Sequence, residues 1–274
     1  MSWRLIRSGY LTASDNMALD QALLESVSAG ISEPVLRLYR WAPAAVTIGY
    51  AQPSRTVNLA ACRRLGIDVV RRCTGGRAVL HGDEVTYSLI APERGASFPA
   101  DIPGSYRSIA DALLDALDDL GLQATLSPGR ERHTASLRYS SACFITPSSY
   151  ELVYDGCKIT GSAQKRNGSA FLQHGSIPLM LDPYLLSCAL NPDDCDHHAA
   201  AVHFKSKIGW LNRWLACPTT VSAVETALVA AFVRHFNFSV IECAPTAAEL
   251  ERMRQLSATR YAKILAEAVS RQKE

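Results

Sequence analysis

None of the eight cysteines forms a Cys-x-x-Cys pair, so a structural zinc site is not expected. The segment Cys195-Asp196-His197-His198, with His203 beyond it, fits no standard ligand spacing. It reads as a polar surface loop after the Pro192-Asp193 turn, and no metal and no cofactor are expected. No apolar run approaches the roughly 18 residues that a bilayer-spanning helix requires, so no membrane role is expected. The first residues, MSWRLIRSGYLTASDN, lack the apolar core and cleavage site of a secretory signal. The expectation is a cytoplasmic protein with reduced thiols. Charge of one sign is also lacking: 28 Lys and Arg against 26 Asp and Glu leave a formal net charge of +2. That is too small to argue for nucleic acid as a partner. There is no internal repeat, low-complexity tract or linker. The 274 residues, 48% hydrophobic and 20% charged, therefore read as one globular domain over 1–274, with C-terminal helices at about 220–270.

In chain order, residues 3–6 predict a short strand. Residues 14–24 predict a helix capped by Ser14 or Asp15, with Leu19, Ala22, Leu23 and Val27 on one face. Strands follow at 37–41 and 45–52, the latter ending at Gly49. A helix over 58–65 stops at Gly66, and 67–72 reads as a buried strand. That strand enters RRCTGGRAVLHGDEVTYSLI (71–90), a strand, Gly75-Gly76 turn and strand pattern. It lacks the Gly-Lys-Ser/Thr ending of a Walker loop. Its Arg71, Arg72 and Arg77 and its glycine amides suit a carboxylate, phosphate or phosphopantetheine arm. An ordinary hairpin with solvated arginines fits the pattern equally. Residues 108–121 predict an amphipathic helix stopping at Gly121. The polar stretch 127–141, with Pro128-Gly129, is expected to be a mobile loop that covers the site. Later, 185–190 reads as a short helix and the basic, aromatic 203–214 as a solvated loop. Ser222 and Glu225 form a capping-box pattern for a helix to about Phe236, and Thr246 and Glu249 repeat it.

The most informative stretch is 140–179. Cys143 lies in a loop-like segment. ELVY and CKIT then flank Asp155-Gly156, a dipeptide suited to a primed hairpin turn. Across that turn Lys158 pairs with Val153, which places Glu151, Val153, Lys158 and Thr160 on one face. Leu152, Tyr154, Cys157 and Ile159 share the apolar face, so Cys157 reads as a structural thiol. On pattern alone Lys158 is either a working amine or a solvated lysine beside Glu151, and Cys143 either a nucleophile or a small buried apolar residue. Gly161, Ser162 and Ala163 read as a small-residue turn, and a further strand ends near His174-Gly175.

Taken together, RRCTGGRAVLHGDEVTYSLI, DGCKITGSAQKR and FLQHGSIPL resemble the lipoate–protein ligase and octanoyltransferase superfamily. SDNMALDQALL and RLYRWAPAAVTIGYAQ extend the likeness over most of 1–180, and it continues more weakly to the end. The block around Cys143, and Arg77 where many ligases have a third glycine, look most like the cysteine-dependent octanoyltransferases. Cys73 departs from the usual proline, and Gly82-Asp83 departs from an aspartate directly after the histidine.

The resemblance implies an α/β (α+β) fold, a mixed and largely antiparallel sheet flanked by helices, like the catalytic domain of lipoate and biotin ligases. It implies transfer of octanoyl from octanoyl-acyl carrier protein to a lipoyl-domain lysine, such as that of the glycine cleavage H protein, by a monomer. Cys143 would carry a thioester intermediate, with Lys158 beside it. Arg71, Arg72, Thr74, Gly75, Gly76, Arg77, Ala78, His81, Gly161, Ser162, Ala163, His174 and Gly175 would bind substrate. The amides near 161–163 and 75–76 would act as oxyanion donors, and Val79, Leu80 and Ile159 would wall an eight-carbon tunnel. His81 and His174 are open between proton shuttling, lining the pocket and a structural role. The alternatives are an ATP-dependent lipoate–protein ligase, an amidotransferase acting between lipoyl domains, and a non-catalytic lipoyl-domain-binding protein.

Overall fold

The computed structural model describes residues 2–94, 98–127 and 150–262. Cys143 and the expected loop over 128–141 lie outside the described residues.

The first strand, β1 (Ser2–Leu11), leads into α1 (Ala13–Ser28). That helix is capped by Thr12, which accepts from the Asp15 amide, not by Ser14 or Asp15. β2 (Val35–Trp41), β3 (Ala45–Ile48), α2 (Leu59–Arg64), β4 (Asp68–Arg71), β5 (Val79–His81) and β6 (Glu84–Pro92) follow. Next come α3 (Ile102–Asp119), β7 (Thr125–Leu126), β8 (Leu152–Tyr154), β9 (Cys157–Lys158), β10 (Gly161–Arg166) and β11 (Ala170–Pro178). The chain continues through α4 (Pro183–Leu190), α5 (His197–Lys205), α6 (Val221–Phe236), β12 (Ser239–Glu242) and α7 (Ala247–Thr259).

Six strands form the main sheet in the order β10-β11-β6-β2-β1-β12. The pairs β10/β11, β11/β6 and β6/β2 are antiparallel; β2/β1 and β1/β12 are parallel. The expected mixed, largely antiparallel sheet is present. Strand alternation sends Leu5, Leu36, Leu38, Val85, Tyr87 and Leu89 into a core with α3 and α6. Ile6, Val35, Ile90 and Leu172 pack on α1 from the other side. A three-stranded sheet, β4-β3-β5, packs with α2, α4 and α5 around a separate core that includes Val46, Ile48, Phe204 and Ile208.

Four expectations are corrected here. Gly161, Ser162 and Ala163 do not turn. They open β10, paired with Ser176, Gly175 and His174 of β11, because three small residues also fit a strand over which larger side chains pass. The stretch 195–203 is not a loop: Asp196 caps α5 by accepting from the Ala199 amide at 3.0 Å, and His197 bonds Ser187 at 2.9 Å. The segment after it is not solvated either, with Phe204, Ile208 and Leu211 buried. Finally, α6 is capped by Thr220, and Glu225 pairs with Arg7 of β1. The second capping box, Thr246 with Glu249, forms as expected.

Candidate active site

The Gly75-Gly76 loop is held from beneath by its own arginines. Arg71 Nη1 donates to the carbonyls of Gly49, Tyr50 and Gln52 at 2.7, 3.1 and 2.6 Å. Arg72 is buried and all three of its nitrogens are engaged. They reach Thr74 Oγ1 and the carbonyls of Gly75, Arg77 and Thr47 within 3.1 Å, and Thr47 Oγ1 at 3.2 Å. These guanidinium groups therefore shape the loop, where the sequence suggested an anion site; Arg77 alone of the three is exposed. A Cβ at Gly49 would lie 1.9 Å from the Gly76 carbonyl oxygen, so the loop packs on β3 only because residue 49 is glycine.

Beneath the loop runs a continuous buried polar chain. Asp20 of α1 accepts from Arg37 at 2.6 Å and from Tyr39 at 3.0 Å, and its Oδ2 lies 3.1 Å from His174 Nδ1. His174 Nε2 meets Thr74 Oγ1 at 2.8 Å. On the other side of Arg72, Thr47 Oγ1 meets His81 Nε2 at 2.9 Å, and His81 Nδ1 meets Glu84 Oε1 at 2.8 Å. Glu84 also accepts from Thr86 at 2.5 Å and Ser176 at 2.7 Å.

One set of proton positions satisfies this chain. Arginine only donates, so each threonine oxygen accepts from Arg72 and turns its own proton to an imidazole Nε2. Each Nδ1–H then faces a carboxylate. Burial pushes the Asp20 carboxyl up, but Arg37 and His174 outweigh it and hold it below the usual range. Burial likewise raises Glu84, and His81, Thr86 and Ser176 bring it below its ordinary value. Burial lowers the His174 imidazole more than Asp20 raises it, so the ring stays neutral.

The sign of the pH dependence follows. His174 has a folded pKa below its unfolded value near 6.5. The unfolded chain therefore binds the extra proton first as pH falls, and stability declines from about pH 6.5 downward. Asp20 and Glu84, also depressed, add stability that is full above about pH 4 and lost below it. The expected result is a melting temperature that falls from pH 7 to 5 and more steeply below pH 4. In His174→Gln the upper part of that slope flattens. Thermal melts from pH 3 to 8 check both; a flat wild-type profile from pH 7 to 5 would remove the role given to His174.

Two pockets meet above this chain. The inner one is narrow and is lined by Met17, Tyr39, Trp41, Val79, His81 and His174 among others. An outer groove is lined by Gly75, Gly76, Ile102, Pro103, Tyr106 and Tyr150, with Ser162, Ala163 and Gln164. Of the expected tunnel walls, Val79 lines the inner pocket. Leu80 and Ile159 are instead buried in the two cores, and Ala78 is a core residue as well.

Lys158 corrects the picture of a solvated face. It is fully buried, with Nζ 2.5 Å from Glu151 Oε1. The hairpin register is as expected, Val153 opposite Lys158 and Tyr154 opposite Cys157. Backbone bonds join Lys158 to Lys207 and Gly209 on its other edge.

A sequence profile of the lipoyl protein ligase A/B catalytic domain matches residues 12–233. The chain belongs to this family. It is 39% identical over 264 residues to an octanoyltransferase LipM of Geobacillus kaustophilus, covering 94% of this chain and 95% of that one. Against the octanoyltransferase LipM of Bacillus subtilis the identity is 37% over 266 residues, with 95% and 96% covered. Among solved structures, lipoate-protein ligase A bound with ATP superposes with a TM-score of 0.77 at 24% identity, covering 94% of this chain and 95% of that one. A lipoate protein ligase from Thermoplasma acidophilum, in a study that includes its E2 lipoyl domain, gives 0.77 at 25%, covering 94% and 93%.

Within this lipoyl ligase-family fold, the structure brings Thr74, His81, His174, Gly175 and the 161–163 strand to one place. Asn16, Asp20, Arg37, Thr47 and Glu84, which support them, were not foreseen. A signal existed in α1: Asn16 and Asp20, one turn apart, are buried on a mainly apolar helix, where polar side chains require partners.

Proposed function

We propose that this chain moves an octanoyl group from acyl carrier protein to a lipoyl-domain lysine through a thioester on Cys143. The observation that carries it is the similarity of 37–39% over 94–95% of the chain to proteins named octanoyltransferase. The geometry supports it with a narrow, mainly apolar inner pocket that meets an open groove suited to a carrier arm. Cys143 stands seven residues before Tyr150, which lines that groove.

The chemistry balances without nucleotide. The Cys143 thiolate attacks the thioester carbonyl carbon, a new C–S bond forms, and collapse of the tetrahedral intermediate expels the carrier's thiolate. The acceptor lysine, as free amine, then attacks the enzyme thioester. An amide forms, the Cys143 C–S bond breaks, and the amine's lost proton balances the thiolate. Exchange of one thioester for another is nearly isoenergetic, and the final amide is more stable than either. The acceptor would be a lipoyl domain, and the site of action the cytoplasm.

Mixing the protein with octanoyl-acyl carrier protein, without ATP, should add one octanoyl mass that hydroxylamine removes. Adding an apo lipoyl domain should then transfer it. Modification that requires ATP and free octanoate, with pyrophosphate released, would make the chain a ligase instead.

A further inference from the structure

We infer that the side-chain hydroxyl of Ser162 is a fixed donor for the acyl carbonyl oxygen, its direction set by a chain of bonds that begins at Arg166. The inference rests on the acyl-transfer reading above and goes beyond it by naming the donor.

Its direction follows link by link. Arg166 can only donate, and its Nε reaches Gln164 Oε1 at 3.1 Å. That fixes the Gln164 amide so that Nε2 donates to Gln173 Oε1 at 3.0 Å. Gln173 must then turn its own Nε2 to the Tyr87 hydroxyl, 3.2 Å away. Tyr87, accepting from Gln173, gives its proton to Ser162 Oγ at 2.8 Å. Burial pushes the Tyr87 phenol up to about 12, so it holds that proton at any working pH. Ser162 Oγ accepts, so its own hydrogen must point elsewhere, and among the described residues no side chain or carbonyl accepts it.

Strand register makes this chain possible. Ser162, Gly175 and Tyr87 are aligned across β10, β11 and β6, and Gln164 faces Gln173. Tyr87 reaches Ser162 by passing over residue 175. A Cβ there would lie 2.5 Å from Tyr87 Cε1 and 2.6 Å from Ser162 Oγ. Gly175 leaves the gap through which this bond forms. Tyr106 donates to the Ser162 carbonyl at 2.7 Å, which pins the residue's backbone as well.

Position identifies the target. Of the residues lining the inner pocket and the outer groove, Ser162 and Ala163 are the two common to both. An acyl chain in the first and a carrier arm in the second place the thioester carbonyl between them. Ala163 has no side-chain donor, so the Ser162 hydroxyl, turned with Tyr87 to the groove side of the strand, is the side-chain donor at that junction. A donor fixed before reaction stabilises the developing oxyanion without reorganisation. Ser162 touches the reacting atoms in this scheme; Tyr87, Gln173, Gln164 and Arg166 are positioning residues.

The test is a double-mutant cycle on transfer from octanoyl-acyl carrier protein to an apo lipoyl domain, with melting temperatures as fold controls. Ser162→Ala should lower kcat about 10²-fold and leave KM for the donor nearly unchanged. Ser162→Thr, which keeps the hydroxyl, should retain most activity. Tyr87→Phe should slow the wild type several-fold but add no further loss in the Ser162→Ala background, because it acts only through that hydroxyl. Wild-type kcat in Ser162→Ala, or equal slowing by Tyr87→Phe in both backgrounds, overturns the assignment while the acyl-transfer reading stands. A wild-type protein that transfers no octanoyl removes both.

Discussion

Cys143→Ala is expected to abolish octanoyl transfer, by at least about 10³-fold, whereas Cys157→Ala leaves it near the wild-type rate. Four of the other thiols argue for this by their surroundings. Cys157 is buried beside Lys158 in β9 but faces away, donating to the Ser206 carbonyl at 3.5 Å with Arg213 Nη1 at 3.6 Å. Burial drives the thiols of Cys62 and Cys73 up to about 11, and burial also raises Cys188. Such groups are almost wholly protonated at neutral pH and make poor nucleophiles. Cys143 lies in the block that resembles cysteine-dependent octanoyltransferases. Initial rates with octanoyl-acyl carrier protein, alongside intact mass for the acyl adduct, decide it. Transfer by Cys143→Ala at the wild-type rate would exclude a thioester on that residue.

How far the sequence could be read depended on whether the signal was local. The Asp155-Gly156 turn was legible because φ values of +49° and +70° suit that dipeptide. The stop at Gly66, φ +67°, and the Thr246–Glu249 capping box were legible for the same reason: each depends on a few adjacent residues. The burial of Lys158 was not legible because strand alternation assumes one wet face. Here β9 lies between β8 and the backbone at 207–209, and Glu151, Leu152, Cys157, Lys158, Ile159 and Thr160 are all buried. The bonds of Arg71 and Arg72 were not legible because composition shows their charge but not where carbonyls converge. The Asp20–His174 pair joins residues 154 positions apart, and Thr47, Arg72 and Thr74 link it to the local Glu84–His81 pair. Ser162 was placed in a turn because small residues mark turns; the gap that lets Tyr87 reach it comes from Gly175 on the facing strand.

Loss of the Lys158 ammonium is expected to raise the pH midpoint for alkylation of Cys143 by about one unit or more and to slow acyl-enzyme formation. The sequence gives the motive, a lysine on the strand leading into 161–163, and the structure changes the design of the test. Lys158 is fully buried with Nζ 2.5 Å from Glu151. Removing one partner of a buried pair leaves the other charge unpaired and costs about 3–5 kcal/mol. Lys158→Ala alone would therefore mix lost stability with lost chemistry. The pair Lys158→Met with Glu151→Gln removes both charges at similar volume, and such replacements are often neutral for stability. Iodoacetamide labelling of Cys143 against pH, in wild type and the double variant, reads the ammonium's effect on the thiol. Glu151→Gln alone shows what the carboxylate adds: by leaving the ammonium without its counter-charge, it should lower the midpoint. Lys158→Arg should restore little, because a planar guanidinium does not occupy the place of a compact ammonium. A double variant that folds, melts like wild type and labels with an unchanged midpoint would show that Lys158 does not tune the thiol. Its role would then be confined to holding the acyl carbonyl or to the buried pair with Glu151.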